Sequence, residues 1–291
     1  MNYGINPLLT RLKEGLHFPK NSLKPEEYRP PREAVMNAKN TKKFSSRRTV
    51  DEKDLVQFEQ LGAKWWDESG PMKPLHKLNP VRLDYIRRMA CAHFGLDDQK
   101  LGALAGLTAA DVGCGGGIVA EPLARMGAAV TGIDAGTENI RAARAHAEAG
   151  GLSIDYQATT AEALAESGAQ FDIVTALEVV EHVADVDLFL TSCAALVKPG
   201  GMLVVSTLNR TAKSFVLGIG MAEYVLRWLP AGTHDWRKFL KPSEVAAPLM
   251  PLGLDIIDVT GLVYDPLRLK FKLSDNDLDV NYLMTAVKDA E

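Results

Sequence analysis

The chain has 291 residues, 46% of them hydrophobic and 24% charged, which is the composition of a globular protein with a sizeable core. Its three cysteines, Cys91, Cys114 and Cys193, are too few and too far apart for a disulfide scaffold, and they indicate a reducing compartment. Uncharged runs reach only about ten residues, short of the roughly 18 that span a bilayer, so the sequence predicts no membrane-spanning helix.

The net charge of −4 conceals a basic head on an acidic body. Residues 1–50 hold 11 basic and 4 acidic side chains, whereas the rest of the chain holds 22 basic and 33 acidic ones. The head is broken by prolines and lacks apolar periodicity, so we expect residues 1–48 to be a basic, disordered extension. An organelle-targeting segment and a start at Met36 are the alternatives, although targeting segments avoid the acids found here. The acidic body disfavours a nucleic-acid partner, which needs a basic surface.

Two amphipathic helices are expected before the first strand. The segment TVDEKDLVQFEQLGAKWW is the first, with Thr49 or Asp51 as its N-cap and apolar residues every three or four positions. The second is expected to begin with Asn79 as its cap and Pro80 in the first helical position.

Strand and helix patterns then alternate. LTAADVG, AAVTGIDAG, SIDYQATT, FDIVTAL and GMLVVSTLN have the composition of strands, with helical stretches between them. This alternation predicts a parallel sheet covered by helices on both faces. LDIIDVTGLVYD and DVNYLMTAV follow with no convincing helix between them, which predicts an antiparallel edge. The expected fold class is therefore α/β, a Rossmann-like fold with a mostly parallel seven-stranded sheet and an antiparallel C-terminal edge.

A glycine-rich loop over residues 113–117 follows the first strand, where the backbone can approach a ligand closely. A dinucleotide fingerprint that starts at Gly113 would need a third glycine where Ile118 stands, and there is no lysine for a phosphate-binding P-loop. Asp134 ends the second strand, 21 residues after Gly113, and an acid there accepts hydrogen bonds from ribose hydroxyls. Together these features predict an adenosine ligand with a small charged tail, such as S-adenosylmethionine.

The pattern D-V-G-C-G-G-G followed by G-I-D resembles the Rossmann-like methyltransferases that use S-adenosylmethionine, over roughly residues 101–288. This resemblance implies that Thr160, Ala161 and Glu162 lie beside the adenine. It also implies that Leu177, which ends the fourth strand, adds apolar surface near the cofactor.

A cluster of acids and a histidine, in LEVVEHV, follows the fourth strand, where open parallel sheets bind their ligands. Glu178, Glu181 and His182 are spaced i, i+3 and i+4, so on a helix they would share one face. Such a set could bind a divalent cation such as Mg²⁺. His182 could instead act alone as a general base, or the cluster could be structural. His234 in GTHDW is a candidate fourth ligand, since small-RNA 2′-O-methyltransferases carry a similar set with a distant histidine.

The flanking segments KWWDESGPMKPLHKLNPVRLDYI, STLNRTAKSF, GTHDWRKFLKP and VNYLMTA closely resemble the ubiquinone-biosynthesis O-methyltransferases, over about residues 50–287. The resemblance implies that S-adenosylmethionine methylates ring hydroxyls of 2-polyprenyl-6-hydroxyphenol and 3-demethylubiquinol. It implies cofactor contacts from Arg82, Gly113, Asp134 and Leu177. The catalytic residues would be Glu178, Glu181 and His182. They would deprotonate the hydroxyl, and a bound metal ion is expected to assist them. Trp65, Trp66 and His76 would cover the substrate pocket or belong to the core.

Arg82 suits the methionine carboxylate, because a guanidinium forms strong, often bidentate hydrogen bonds with such a group. A small-RNA methyltransferase and another catechol or small-molecule O-methyltransferase are the alternative enzymes. A cofactor-binding subunit of a quinone-synthesis complex is the alternative without catalysis.

A polyprenylated substrate implies contact with lipid or with a quinone-biosynthesis complex. We therefore expect a cytoplasmic protein that is peripheral at the inner face of the membrane, or one on the matrix side of the mitochondrial inner membrane. The methyltransferase domain is expected over residues 49–291, with its parts arranged along the chain. These are N-terminal helices (49–100), a cofactor-binding core (101–209), a lid or membrane-facing insertion (210–242) and C-terminal strands (243–291).

Overall fold

The structure is a computed structural model that describes residues 49–216 and 235–290. The basic head over residues 1–48 and residues 217–234 of the expected insertion lie outside the described residues. Within the described ranges, no helix has both the length and the apolar character needed to cross a membrane.

The described strands form one sheet, in which five strands run parallel. These are β1 (Thr108–Val112), β2 (Ala129–Asp134), β3 (Asp155–Ala158), β4 (Phe171–Leu177) and β5 (Val197–Leu208). The later strands are β6 (Leu254–Asp265), β7 (Lys270–Ser274) and β8 (Asn281–Lys288). The strand order is β3-β2-β1-β4-β5-β8-β6-β7.

The C-terminal edge is antiparallel, which confirms the predicted fold class. β8 pairs antiparallel with β5 and β6, and β7 pairs antiparallel with β6. The described sheet has eight strands instead of the expected seven, because β7 adds an outer strand. The sequence of β7, KFKLS, carries two lysines, so its hydrophobicity gave little sign of a strand.

Helices cover both faces of the sheet. The α-helices of the described ranges are α1 (Glu52–Glu59), α2 (Lys73–Phe94), α3 (Ala120–Arg125), α4 (Thr137–Ala149), α5 (Ala161–Glu166), α6 (Val186–Leu196), α7 (Ala212–Ser214) and α8 (Pro242–Leu249). Ala109 and Ala110 of β1 are both fully buried but belong to different cores, because successive strand side chains point to opposite faces. One core includes α2, α3 and α4, and the other includes α5, α6 and α8.

The first helix ends earlier than the apolar spacing of the segment predicts. Asp51 caps α1, and its carboxylate accepts a hydrogen bond from the Lys53 N–H at 3.0 Å. Gly62 then takes a φ of +44°, and a short 3₁₀ helix covers Gly62–Trp66. Glycine adopts a left-handed conformation easily, and such a residue ends a helix. The apolar residues that predicted one helix therefore lie in two elements, α1 and the 3₁₀ helix.

The second helix begins earlier than expected. α2 starts at Lys73, and Pro80 lies inside it. The expected cap Asn79 is buried, and its Nδ2 donates a hydrogen bond to the Ile118 carbonyl at 2.8 Å. The polar side chain before Pro80 therefore joins α2 to the loop after β1, and the prediction of a helix start there was wrong.

Candidate functional site

A cavity of about 750 Å³ opens at the carboxyl ends of the parallel strands. Its walls come from the glycine loop, the ends of β2 and β4, the start of α2 and the β6–β7 hairpin. Residues 49–66, which we call the strap, form one more wall. Open α/β sheets bind ligands in this position, so the topology gathers the predicted site residues where the fold class requires.

The glycine loop depends on backbone conformations that only glycine adopts easily. Gly113, Gly115 and Gly117 have φ values of +71°, +52° and +88°. A Cβ atom on Gly113 would lie 2.4 Å from Cγ2 of Val179, so the loop also leaves no room for a side chain there. The Gly113 N–H donates to the Ile133 carbonyl at 2.8 Å, which fixes the start of the loop against β2.

Asp134 holds this loop at the end of β2. Its carboxylate accepts hydrogen bonds from the Gly115 N–H at 3.0 Å and from the Gly136 N–H at 2.7 Å. Asn139 Nδ2 donates a third, at 3.1 Å. Burial raises the pKa of the Asp134 carboxyl, although these three hydrogen bonds oppose the increase. Asp134 therefore lines the cavity and also shapes the glycine loop.

Arg82 is a buried cation among carboxylates at the back of the cavity. Its side chain belongs to a residue that is only 2% exposed, and Nη2 donates to the Asn79 Oδ1 atom at 3.3 Å. Burial lowers the pKa of the guanidinium, against the opposing charges of Glu178, Asp111 and Glu181. Burial also raises the pKa of Asp111 to about 6. A guanidinium next to acids can hold a zwitterionic group, with the cation facing its carboxylate and the acids facing its ammonium.

Unsatisfied polar atoms concentrate around this cavity. In the described part of the chain, buried side-chain atoms without a hydrogen-bond partner include Arg82 Nε, Asp111 Oδ2, Glu181 Oε1 and Asn281 Oδ1, all from cavity-lining residues. Each such atom costs about 1–3 kcal/mol of stability. A polar ligand that supplied the missing partners would recover part of that cost, which indicates a binding site.

Glu178 departs from the geometry expected of it. It follows β4 with a φ of +56°, rare for a residue with a side chain. Its carboxylate accepts hydrogen bonds from Ser206 Oγ at 2.6 Å and from Asn281 Nδ2 at 2.9 Å. The next residues form only a short 3₁₀ helix, Val180–His182. The prediction that Glu178, Glu181 and His182 share an α-helical face was therefore wrong.

Glu181 and His182 have separate partners. Glu181 is 3% exposed and accepts a hydrogen bond from Thr207 Oγ1 at 2.8 Å. Burial, together with the charge of Glu178, raises the pKa of Glu181 to about 7. The Nδ1 atom of His182 lies 3.1 Å from Oδ2 of Asp54, a residue of the strap.

The expected metal site is not formed by these residues. Within residues 49–216 and 235–290, no group of three or more His, Cys, Asp or Glu side chains is placed to hold a metal ion. The reason is that Glu178, Glu181 and His182 each point to a different protein partner. Their donor set does not fit Mg²⁺ here, and His234 lies outside the described residues.

The aromatic residues Trp65, Trp66 and His76 pack at or near the glycine loop. Trp65 lines the cavity, and its Nε1 donates to Asn139 Oδ1 at 2.9 Å. Trp66 Nε1 donates to the Gly116 carbonyl at 2.9 Å, and its ring stacks on His146. His76 Nε2 lies 2.8 Å from the Trp65 carbonyl. Of the two roles expected for these residues, the structure favours packing for Trp66 and His76, which do not line the cavity.

The remaining predicted contacts divide between the cavity and the strap. Leu177 is buried and lines the cavity, as do Thr160 and Ala161. Glu162 is not among the residues that line the cavity, and its carboxylate accepts a hydrogen bond from Thr49 Oγ1 at 2.7 Å. This contact joins the strap to α5.

Sequence reasoning missed four site residues. Asp54 looked like the polar face of an amphipathic helix, and Ser206 like an ordinary strand residue. Asn281 lies in the motif VNYLMTA, and Lys238 lies in GTHDWRKFLKP. Both motifs carry the family resemblance, but residue spacing alone does not show which of their side chains reach the site. Lys238 Nζ donates to Asp51 Oδ2 at 2.9 Å and to Asp54 Oδ2 at 3.0 Å, which joins the strap to the end of the insertion.

Comparison with known proteins gives a consistent family. Residues 110–205 match the model of a methyltransferase domain. A ubiquinone biosynthesis O-methyltransferase of Dinoroseobacter shibae is 53% identical over 83% of this chain and 98% of its own length. One from Rhizobium etli is 51% identical over 84% of this chain and 98% of its own length.

Solved structures share the fold at much lower identity. Magnesium protoporphyrin IX methyltransferase from Synechocystis PCC 6803 with bound SAM has a TM-score of 0.53 and 18% identity, over 84% of this chain and all of that one. A possible histamine N-methyltransferase from Thermotoga maritima has a TM-score of 0.55 and 14% identity, over 80% of this chain and 98% of that one. These similarities support the fold described above.

Proposed function

Because this chain belongs to the ubiquinone biosynthesis O-methyltransferases, SAM-dependent enzymes of that pathway, we propose that its cavity holds S-adenosylmethionine and a polyprenylated phenol together. The single observation that carries the proposal is the cavity itself, where buried, unpartnered polar atoms meet apolar walls at the carboxyl edge of the sheet. The substrates are 2-polyprenyl-6-hydroxyphenol and 3-demethylubiquinol.

The reaction is an in-line displacement. The phenolic oxygen forms a bond to the methyl carbon while the bond between that carbon and the sulfonium sulfur breaks, leaving a neutral thioether. The hydroxyl proton passes to a base. Little covalent help is needed from the protein, whose task is to align oxygen, carbon and sulfur and to remove the proton.

The proposal assigns the cofactor contacts to residues that line the cavity. Asp134 would accept hydrogen bonds from the ribose hydroxyls, and the Gly113 loop gives the backbone close access. Arg82 would bind the methionine carboxylate through its unsatisfied Nε–H. Leu177 would give apolar contact near the adenosine. Bound cofactor supplies the activated methyl group, and these residues orient it.

His182 would accept the phenolic proton. It lines the cavity, and Asp54 orients its ring through Nδ1. Glu178, fixed by Ser206 and Asn281, would orient the second ring oxygen of a catechol.

A transfer assay tests this proposal. The full chain is given labelled S-adenosylmethionine and two short-tailed phenols, one for each proposed substrate, and methylated product is measured. We expect turnover of both, and a loss of about 10²-fold or more in kcat for His182→Ala. Cofactor binding without methylation of either phenol would contradict the proposed function.

Mg²⁺ stays a prediction of the sequence. The same assay with a chelator, followed by added Mg²⁺, tests it separately. Loss of turnover that Mg²⁺ restores would assign the ion a role, whereas unchanged turnover would leave proton removal to His182 alone.

We also propose a peripheral location at the inner face of the cytoplasmic membrane, with the matrix side of the mitochondrial inner membrane as the alternative. The support is chemical, since a polyprenyl chain stays in lipid and the insertion over residues 210–242 is apolar with basic flanks. Separation of membrane and soluble fractions of cells would test this location.

A further inference from the structure

The β6–β7 hairpin overhangs the edge of the sheet at which the cavity opens. β6 runs in the same direction as β5, because both pair antiparallel with β8. Its last pair with β8 is Leu262 with Asn281, but its pairing with β7 continues to Asp265 and Lys270. The hairpin therefore projects past the carboxyl ends of the central strands.

The hairpin lines the cavity with residues of both strands and with the first residue of its turn. Leu262, Val263, Tyr264, Pro266 and Phe271 all contribute to the wall. Tyr264 and Phe271 face each other across the two strands, with ring centroids 5.1 Å apart. These side chains form an apolar path from the site towards the tip of the hairpin.

The tip itself exposes apolar side chains. Leu267 is 95% exposed and Leu269 is 62% exposed, although burial normally favours leucine. The turn is built to present them, because Asp265 Oδ1 accepts hydrogen bonds from the Leu267 and Arg268 N–H groups at 3.0 and 3.2 Å.

Basic residues alternate with the apolar ones. The sequence from Pro266 to Lys272, PLRLKFK, has three cations and no acid, although the body of the protein is acidic. Arg268, Lys270 and Lys272 are all exposed. Exposed leucines flanked by cations are typical of a surface that enters the headgroup region of an anionic membrane.

We propose that the tip of the β6–β7 hairpin contacts an anionic lipid surface, from which the apolar tail of the substrate enters the cavity along Pro266, Tyr264 and Leu262. This inference rests on the proposed function for the identity of the tail. It concerns residues outside the insertion, so it adds a second contact with lipid. The two leucines would enter the surface while the cations meet the headgroups.

The test uses the full chain with phosphatidylcholine vesicles, with and without phosphatidylglycerol. The variant Leu267→Asp/Leu269→Asn removes the apolar tip, and asparagine tolerates the left-handed backbone of residue 269. The control is Leu101→Asp, since Leu101 is equally exposed but precedes β1, at the opposite edge of the sheet. We measure co-sedimentation with vesicles and methylation of a long-tailed phenol embedded in them.

We expect the double variant to lose about tenfold or more in both measurements. It should keep its activity on a soluble short-tailed phenol, and the control should match the wild type. A second variant, Arg268→Glu/Lys270→Glu, changes only exposed side chains and should lose the preference for phosphatidylglycerol. If the first variant fails to fold, this second variant still tests whether the hairpin tip contacts anionic lipid.

Equal vesicle binding by wild type and both variants would overturn the proposal. If wild type and variants bind vesicles equally but the variants differ from the wild type in oligomeric state, the tip contacts a second copy of the chain. That result would also overturn the proposal. If the wild type methylates neither phenol, the proposed function fails, while co-sedimentation still decides whether the hairpin binds lipid.

Discussion

The Asp54 carboxylate lies 3.1 Å from Nδ1 of His182, although the two residues are 128 positions apart in the chain. Asp54 belongs to the strap and His182 to the turn after β4. The strap thus does more than cover the cavity, because it supplies the group that orients the proposed base. Phe58, one turn further along α1, places its ring edge-on to the imidazole at a centroid distance of 4.9 Å.

Asp54→Asn should change the pH dependence of methyl transfer. Burial lowers the pKa of His182, but its hydrogen bond with Asp54 and the charges of Glu181 and Asp54 outweigh this, so the pKa lies above its ordinary value. The imidazole accepts a proton only when neutral, at a pH above that pKa. Without the Asp54 charge the pKa of His182 falls, so the acidic limb of the kcat profile should move to lower pH.

Asp51→Asn is the matched control for this experiment. Asp51 shares the Lys238 contact with Asp54 but has no hydrogen bond with His182 in the described contacts. Its profile should keep the wild-type acidic limb. The same shift in both variants would show that the strap acts by its position alone.

Arg82→Lys should weaken cofactor binding. Lysine keeps the positive charge but loses the planar arrangement of donors that suits a carboxylate. We expect the Kd for S-adenosylmethionine to rise about tenfold to a hundredfold, equivalent to about 1.4–2.7 kcal/mol. Calorimetric titration measures it, with thermal unfolding as a check on folding.

Arg88→Lys on the same helix provides the comparison. Arg88 is half-exposed and pairs with Asp84 at 3.0 Å, so its replacement should leave the Kd unchanged. An unchanged Kd for Arg82→Lys would remove Arg82 from the cofactor site.

The fold was predictable because hydrophobic periodicity records which face of each element is buried. The strand–helix alternation, the glycine loop and Asp134 depend on local rules, and the structure places them as those rules require. The edge strand β7 was not predictable in this way, since an outer strand with lysines needs only one buried face.

The candidate site was predictable only in part. The position of Glu178 followed from the end of β4, but its left-handed φ depends on contacts with Ser206 and Asn281, residues of two other strands. The spacing of Glu178, Glu181 and His182 assumed a helix that these tertiary contacts replace. Similarly, no local rule joins Asp54 to His182, because their contact exists only after the strap has folded over the sheet.

Lys238→Ala should loosen the strap. The ammonium group joins Asp51 and Asp54 to the residues that follow the insertion, and both hydrogen bonds raise the pKa of Lys238 against the effect of its partial burial. We expect faster hydrogen exchange at the strap amides, such as the Leu55 N–H that bonds to the Asp51 carbonyl, and a lower affinity for the cofactor.

The neighbouring residue again offers a control. Arg237 is mostly exposed and its described ion pair is with Asp235, so Arg237→Ala should leave strap exchange unchanged. Exchange that stays slow in Lys238→Ala would mean that Thr49, Glu162 and the Val50–Val183 bridge hold the strap without Lys238.

Glu181→Gln should stabilise the protein at alkaline pH while leaving it unchanged in acid. Burial, with the charge of Glu178, raises the pKa of Glu181 from 4.5 to about 7, so the folded state keeps its proton more firmly than the unfolded chain. Stability from this group is present below pH 4.5 and is lost as the pH rises towards 7. Glutamine has no charge to bury and can still accept the hydrogen bond from Thr207. Urea unfolding at pH 8 should show a gain of about 2 kcal/mol, which disappears near pH 4. An equal gain at both pH values would mean that packing, not ionisation, sets the effect of the substitution.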